Sequence, residues 1–173
     1  ESACDSVFAA IGIARAAGAK IVYDCNLRPR LWPAARAAAV IHATIPMADY
    51  FLLSMEDALA LCGLQDPHAI LGWCHGAGAK VVALKLGADG VIASDSKRRE
   101  RLAGIRIDCV DATGAGDCFA GALMAQLAAG GEFWEGLRYA NAAAALTTTG
   151  YGAVSPLPRP EAVKKLLAGG ITA

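Results

Sequence analysis

The chain has 173 residues, 55% of them hydrophobic and 18% charged, which excludes a disordered chain and leaves room for one ordinary core. Its 16 basic and 16 acidic residues cancel, so charge gives no case for a nucleic-acid or acidic-membrane partner. No apolar run reaches the ~18–20 residues of a membrane span.

In chain order, Ser6–Ala17 carries apolar residues at helical spacing and is stopped by Gly18, and Lys20–Cys25 is a short buried strand. Pro33 opens a helix through about Ala43, and Asp49–Leu53 is a second buried strand. Met55–Cys62 is a short helix closed by Gly63, and Asp66-Pro67 starts another that ends near Gly76. Lys80–Leu86 is a third strand. The turn Gly87-Ala88-Asp89-Gly90 then leads straight into Val91–Ser94, as in a hairpin. Lys97-Arg98-Arg99 belongs to a solvated turn or edge strand, and the alternation in Ile105–Val110 predicts a half-exposed strand. Helices follow over about Asp117–Ala129 and Phe133–Thr147, then a loop and a terminal helix through Leu167. Strand and helix alternate before the hairpin, which implies a three-layer α/β/α sandwich, mostly parallel at its centre with antiparallel edge strands. No repeat or Pro/Ser linker marks a domain boundary.

The six cysteines form no C-x-x-C pair and match no zinc or haem spacing; most sit in apolar runs, as free thiols do in a reduced, cytoplasmic setting. The chain starts without Met, a basic n-region or a signal h-region.

The stretch richest in chemistry is Val110-Asp111-Ala112-Thr113-Gly114-Ala115-Gly116-Asp117. A strand ends, two glycines flank an alanine, and a long apolar helix opens at a carboxylate. Gly114 and Gly116 let the backbone turn tightly and approach a ligand, and the first amides of the helix point outward at the positive end of its dipole. Such a site suits a phosphate, and a carboxylate at Asp117 can take a proton from an attacking hydroxyl. An Asp at a helix start is ordinarily an N-cap, but a cap does not require two glycines. The dinucleotide fingerprint and the Walker pattern both fail, for want of a third glycine and of a G-K-[ST].

The run Asp111 to Gly121 resembles the D-T-x-G-A-G-D-x-F-x-G signature of PfkB/ribokinase-type sugar kinases, with Ala112 in place of the usual Thr. The resemblance implies Asp117 as the catalytic base and the backbone of Gly114, Ala115 and Gly116 as the anion hole. Lys85-Leu86-Gly87-Ala88-Asp89-Gly90 is similar to the family's nucleotide turn, which implies Lys85, Gly87 and Gly90 beside ATP. Asn141 matches a position lining the nucleotide pocket; taken alone it is a solvent-facing helical Asn. Gly152-Ala153 resembles the loop that, with Asp111 and Thr113, holds a monovalent cation such as K+ in some members.

Ser54-Met55-Glu56-Asp57 falls where the family has N-x-x-E, a motif tied to Mg2+ and phosphate, which implies a metal role for Asp57; both acids suit a helix start equally well. Asp24-Cys25-Asn26-Leu27-Arg28-Pro29-Arg30-Leu31-Trp32 is similar to the D-x-N-x-R-x-x-L-W string of the 2-keto-3-deoxygluconate kinase and fructokinase branch. It implies substrate binding by Asn26 and Arg28, the latter on a sugar-acid carboxylate; the same residues could instead only pin a loop. The implied reaction is phosphorylation of a sugar or sugar-acid hydroxyl by ATP with Mg2+. 2-Keto-3-deoxygluconate leads, then fructose, then ribose or a nucleoside.

The resemblance runs over nearly the whole chain but only onto the C-terminal, nucleotide-binding part of a family chain, so residues 1–173 are expected to be that part. The family's N-terminal part and its small β-sheet lid, through which a homo-oligomer would form, have no counterpart here. The alternative is a non-catalytic nucleotide-binding module whose lid comes from another chain.

Overall fold

The computed structural model describes residues 2–169. Its helices are α1 (Ser2–Ala16), α2 (Ala34–Thr44), α3 (Met55–Cys62), α4 (Pro67–Gly76), α5 (Ala115–Ala128), α6 (Phe133–Thr147) and α7 (Pro160–Ala168). The strands are β1 (Val22–Asp24), β2 (Tyr50–Ser54), β3 (Val81–Lys85), β4 (Val91–Ser94) and β5 (Arg99–Leu102), hydrogen-bonded in the order β1-β2-β3-β4-β5 as one mixed sheet. β1 and β2 pair parallel, with Val22 opposite Tyr50 and Asp24 opposite Leu52. The continuous apolar runs of β2 and β3 follow from burial: Phe51, Leu52 and Leu53 on β2 and Val82, Ala83 and Leu84 on β3 are all fully enclosed.

The chain divides into two compact units, the first running to Leu84 and including Ala93–Glu100, the second comprising Lys85–Ile92 and the chain from Arg101. The division falls inside or at the ends of strands, where no change of composition marks it. In the first unit, α2 contributes Ala37 and Ile41 to the core. Asp49 ties the entry to β1, because the Ile21 amide donates to its Oδ2 at 3.0 Å while Lys80 Nζ donates to Oδ1 at 3.1 Å. In the second unit, small residues let helices pack closely: Ala142 and Ala143 of α6 meet Val163 of α7, with Cys118 and Ala122 of α5 against them.

Local sequence explains most boundaries. Ser54 and Asp57 form a reciprocal capping box at α3, and Gly63 ends it in the left-handed conformation. Asp66 caps α4, its side chain accepting from the Ala69 amide at 2.7 Å, with Pro67 in the first turn.

Two expectations are corrected. Ile105–Val110 is not a strand: its side chains alternate in exposure as far as Asp108, but the Val110 amide donates at 2.7 Å to the Thr148 carbonyl at the end of α6 and not to a sheet ladder. The helix expected from Asp117 begins at Ala115, with Gly114 as N-cap, so Asp117 stands on its first turn as the third residue and is no cap. The six cysteines are free, and among the described residues no helix is long and apolar enough to cross a membrane.

Candidate functional site

The turn into α5 is built by glycine. Gly114 takes φ +78°, a left-handed conformation open to glycine, whereas an N-cap ordinarily lies in the β region. A Cβ on Gly114 would come within 2.8 Å of the Ala153 Cβ, so the loop after α6 closes directly over the turn. Asp111 holds that loop: the Thr113 amide (2.9 Å) and hydroxyl (2.7 Å) donate to its Oδ1, and the Gly152 amide (2.8 Å) donates to its Oδ2. These bonds, the Thr113 hydroxyl first, hold the Asp111 carboxyl below the ordinary carboxylate range.

Of the three residues expected to form an anion hole, Ala115 departs, because its amide donates to the Ala112 carbonyl at 3.2 Å and closes the turn. Among the described residues the amides of Gly114, Gly116 and Asp117 have no hydrogen-bond partner. Asp117 is exposed on this same helical turn. A Cβ on Gly116 would lie 3.4 Å from Lys85 Nζ, which brings the ammonium of β3 to the mouth of α5. Unpartnered N–H donors, a helix N-terminus and a lysine are the donor set for an anion bearing several oxygens.

Gly87, Asn141 and Ala115 line one cavity of about 460 Å³, together with Gly104, Ile105 and Thr148. Asn141 is fixed there, its Nδ2 donating to the Ala103 carbonyl at 2.9 Å. Gly114 and Asp117 line another, of about 540 Å³, with Ala153 and Lys164. The tight turn expected at 87–90 is a single 3-10 turn in which the Leu86 amide donates to the Gly90 carbonyl at 2.8 Å. Gly90 lines neither cavity; a Cβ there would collide with the Leu102 carbonyl, so its task is close backbone packing.

In the first unit, Asn26 and Arg28 line a cavity of about 570 Å³ with Tyr23, Trp32 and Arg36. Burial, first of all, raises the Tyr23 phenol well above its ordinary value, with neighbouring Cys25 and Asp57 adding to the effect. Asp57, expected at a metal, is buried instead with Oδ1 accepting from the Leu27 amide at 2.9 Å and Oδ2 from the Ser54 amide at 3.0 Å. Among the described residues no group of three His, Cys, Asp or Glu is gathered as a metal cluster.

Gly104 and Thr148 escaped the sequence reading. Thr148 left no signal there, since the Val110 and Asp111 amides reach its backbone carbonyl while its hydroxyl turns back to the Ala145 carbonyl at 2.8 Å.

The profile of the pfkB family of carbohydrate kinases matches residues 1–160. The chain belongs to this family. It is 32% identical to the 2-dehydro-3-deoxygluconokinase of Bacillus subtilis over 88% of this chain and 48% of that protein. With fructokinase-2 of Solanum lycopersicum it shares 33% identity, over 93% of this chain and 52% of the relative. A double mutant of the Vibrio cholerae fructokinase, solved with fructose, ADP and potassium ion, superposes with a TM-score of 0.88 at 28% identity, covering 94% of this chain and 55% of that one. The fold is thus ribokinase-like α/β, and the pfkB chain spans about half the length of the curated relatives it matches.

Proposed function

We propose that the chain carries the nucleotide side of an ATP-dependent kinase for a sugar or sugar-acid hydroxyl, with 2-keto-3-deoxygluconate as leading substrate and fructose second. The observation that carries this reading is the turn 114–117, where three amides without an internal partner share one helical turn with an exposed carboxylate. Asp117 accepts the proton of the attacking hydroxyl as that oxygen bonds to the γ-phosphorus and the bond from phosphorus to the ADP oxygen breaks. The Gly114, Gly116 and Asp117 amides donate to oxygens of the group in transfer, where pre-aimed dipoles act without reorganising. Lys85 adds a positive charge beside Gly116, and the cavity lined by Gly87 and Asn141 suits the nucleoside.

Magnesium, when bound to the nucleotide, supplies neutralisation of the phosphate charge. Asp111, Thr113 and the loop at Gly152 are the candidates to hold K+, an ion present with the Vibrio cholerae relative. The planar fork of Arg28 suits a sugar-acid carboxylate, which favours the 2-keto-3-deoxygluconate branch over fructose. Free cysteines support a reduced, cytoplasmic setting.

The test is a phosphorylation assay on the protein at its natural length with both sugars. The expected result is higher kcat/KM for the sugar acid. Asp117→Asn should lower kcat by a factor on the order of 10²–10⁴ while ATP still binds. Unchanged turnover in D117N would overturn the base assignment, and ATP binding without turnover of any sugar would favour a non-catalytic nucleotide-binding module.

A further inference from the structure

We infer that Asp57 is a positioning residue for the loop after β1, holding the Leu27 amide and so setting the direction in which Asn26 and Arg28 leave the strand. The assignment rests on the proposal that those two residues bind the sugar.

The parallel ladder of β1 continues one residue past the strand, where the Cys25 amide donates to the Leu52 carbonyl at 2.8 Å. The next residue breaks it. Asn26 adopts φ +42°, the left-handed region that Asn tolerates better than other side chains but that still requires support from its surroundings. That support arrives one residue later, at the 2.9 Å bond from the Leu27 amide to Asp57 Oδ1. The bond spans 30 positions of sequence and joins the loop to the first turn of α3.

Asp57 is itself rigid. Its Oδ2 accepts from the Ser54 amide at 3.0 Å, its own amide donates to Ser54 Oγ at 3.1 Å, and only 6% of its surface is exposed. A carboxylate is the side chain that suits this place, because it offers an acceptor to each of two backbone donors. Asparagine offers one acceptor and one NH2, so one backbone N–H would face another donor. Both donors being backbone amides, the geometry points to a tether for the loop and not to a metal ligand.

The test uses the protein at its natural length, with sugar acid and ATP varied separately. Asp57→Asn should raise the sugar KM by about tenfold or more, the loss expected when a buried amide is left without its acceptor, and leave the ATP KM unmoved. Hydrogen–deuterium exchange should rise in the peptide containing Leu27. Ser54→Ala is the comparison, since it removes the cap on the Asp57 amide but keeps both carboxylate bonds; its Tm should fall with the sugar KM unchanged. Should D57N not fold, Asp57→Glu, which keeps the charge one methylene further out, should give the same rise in sugar KM. A rise in ATP KM instead, or equal sugar KM changes in S54A and the Asp57 variants, would overturn the assignment. Wild-type turnover with an unmoved sugar KM in D57N would overturn it alone, whereas a wild type that phosphorylates neither sugar would overturn the kinase reading beneath it.

Discussion

Two loops in this chain are fastened by the same device and differ in where the device sits. After β1, a left-handed Asn26 is followed by an amide bound to Asp57; before α5, a left-handed Gly114 follows an amide bound to Asp111. Each aspartate takes backbone amides from two separated stretches, Leu27 and Ser54 in one case, Thr113 and Gly152 in the other. Asp57 is buried, whereas Asp111 is reached by solvent. A buried acceptor cannot be replaced by water when it is lost, and an exposed one can. The buried latch is therefore a fixture. The exposed latch is adjustable, and it lies against the turn whose Gly114, Gly116 and Asp117 amides have no partner among the described residues.

The sharpest way to break this comparison is at the left-handed residues. Gly114→Ala meets two penalties, the conformation itself and a Cβ 2.8 Å from that of Ala153, and should lower stability by about 2–4 kcal/mol in denaturant unfolding. Gly87→Ala isolates the first penalty, since φ is +62° there but nothing lies within 4 Å of the new Cβ; a loss of about 1 kcal/mol is expected. Equal losses would show that closure of the 153 loop over the turn is not what constrains Gly114. Next in size, Asp57→Asn strands one buried amide and should cost about 1–3 kcal/mol by the same measurement. Asn26→Ala, which trades a tolerant residue for an intolerant one at φ +42°, should cost about 1 kcal/mol.

These sites also show what could be read in advance. The turn at Gly114 was legible because a φ of +78° restricts residue type locally, in favour of glycine. The stop at Gly63 and the start at Asp66-Pro67 were legible for the same reason, whereas the cap from Ser54 was not read. The tether from Asp57 was not, because a bond across 30 residues to a backbone amide leaves no mark on the identity of Leu27. The irregular path of Ile105–Val110 was hidden differently. Its period-two pattern reports which side chains face inward, and inward-facing alternation does not require a ladder when the Thr148 carbonyl takes the Val110 and Asp111 amides. Nor could composition show the division into two units, which runs through strands instead of a linker.

The smallest effect tests the exposed latch through pH. The folded protein holds the Asp111 carboxyl below its ordinary value of 3.8, first through the Thr113 hydroxyl and then through the Gly152 and Thr113 amides. A depressed folded value means that the native state favours the charged form, so the contribution to stability is present above the unfolded value and is lost as pH falls through the folded one. Wild type should thus exceed Asp111→Asn in Tm at neutral pH by a small margin that closes as pH drops below 3.8, and added salt should narrow it. Asp57 provides the contrast, because Asn at that site leaves a buried donor unpaired in every protonation state of its neighbours. The D57N deficit should therefore persist in high salt where the D111N deficit fades. A D111N deficit that resisted salt as D57N does would mean that the 152 loop excludes water from Asp111, and the two latches would then be one kind.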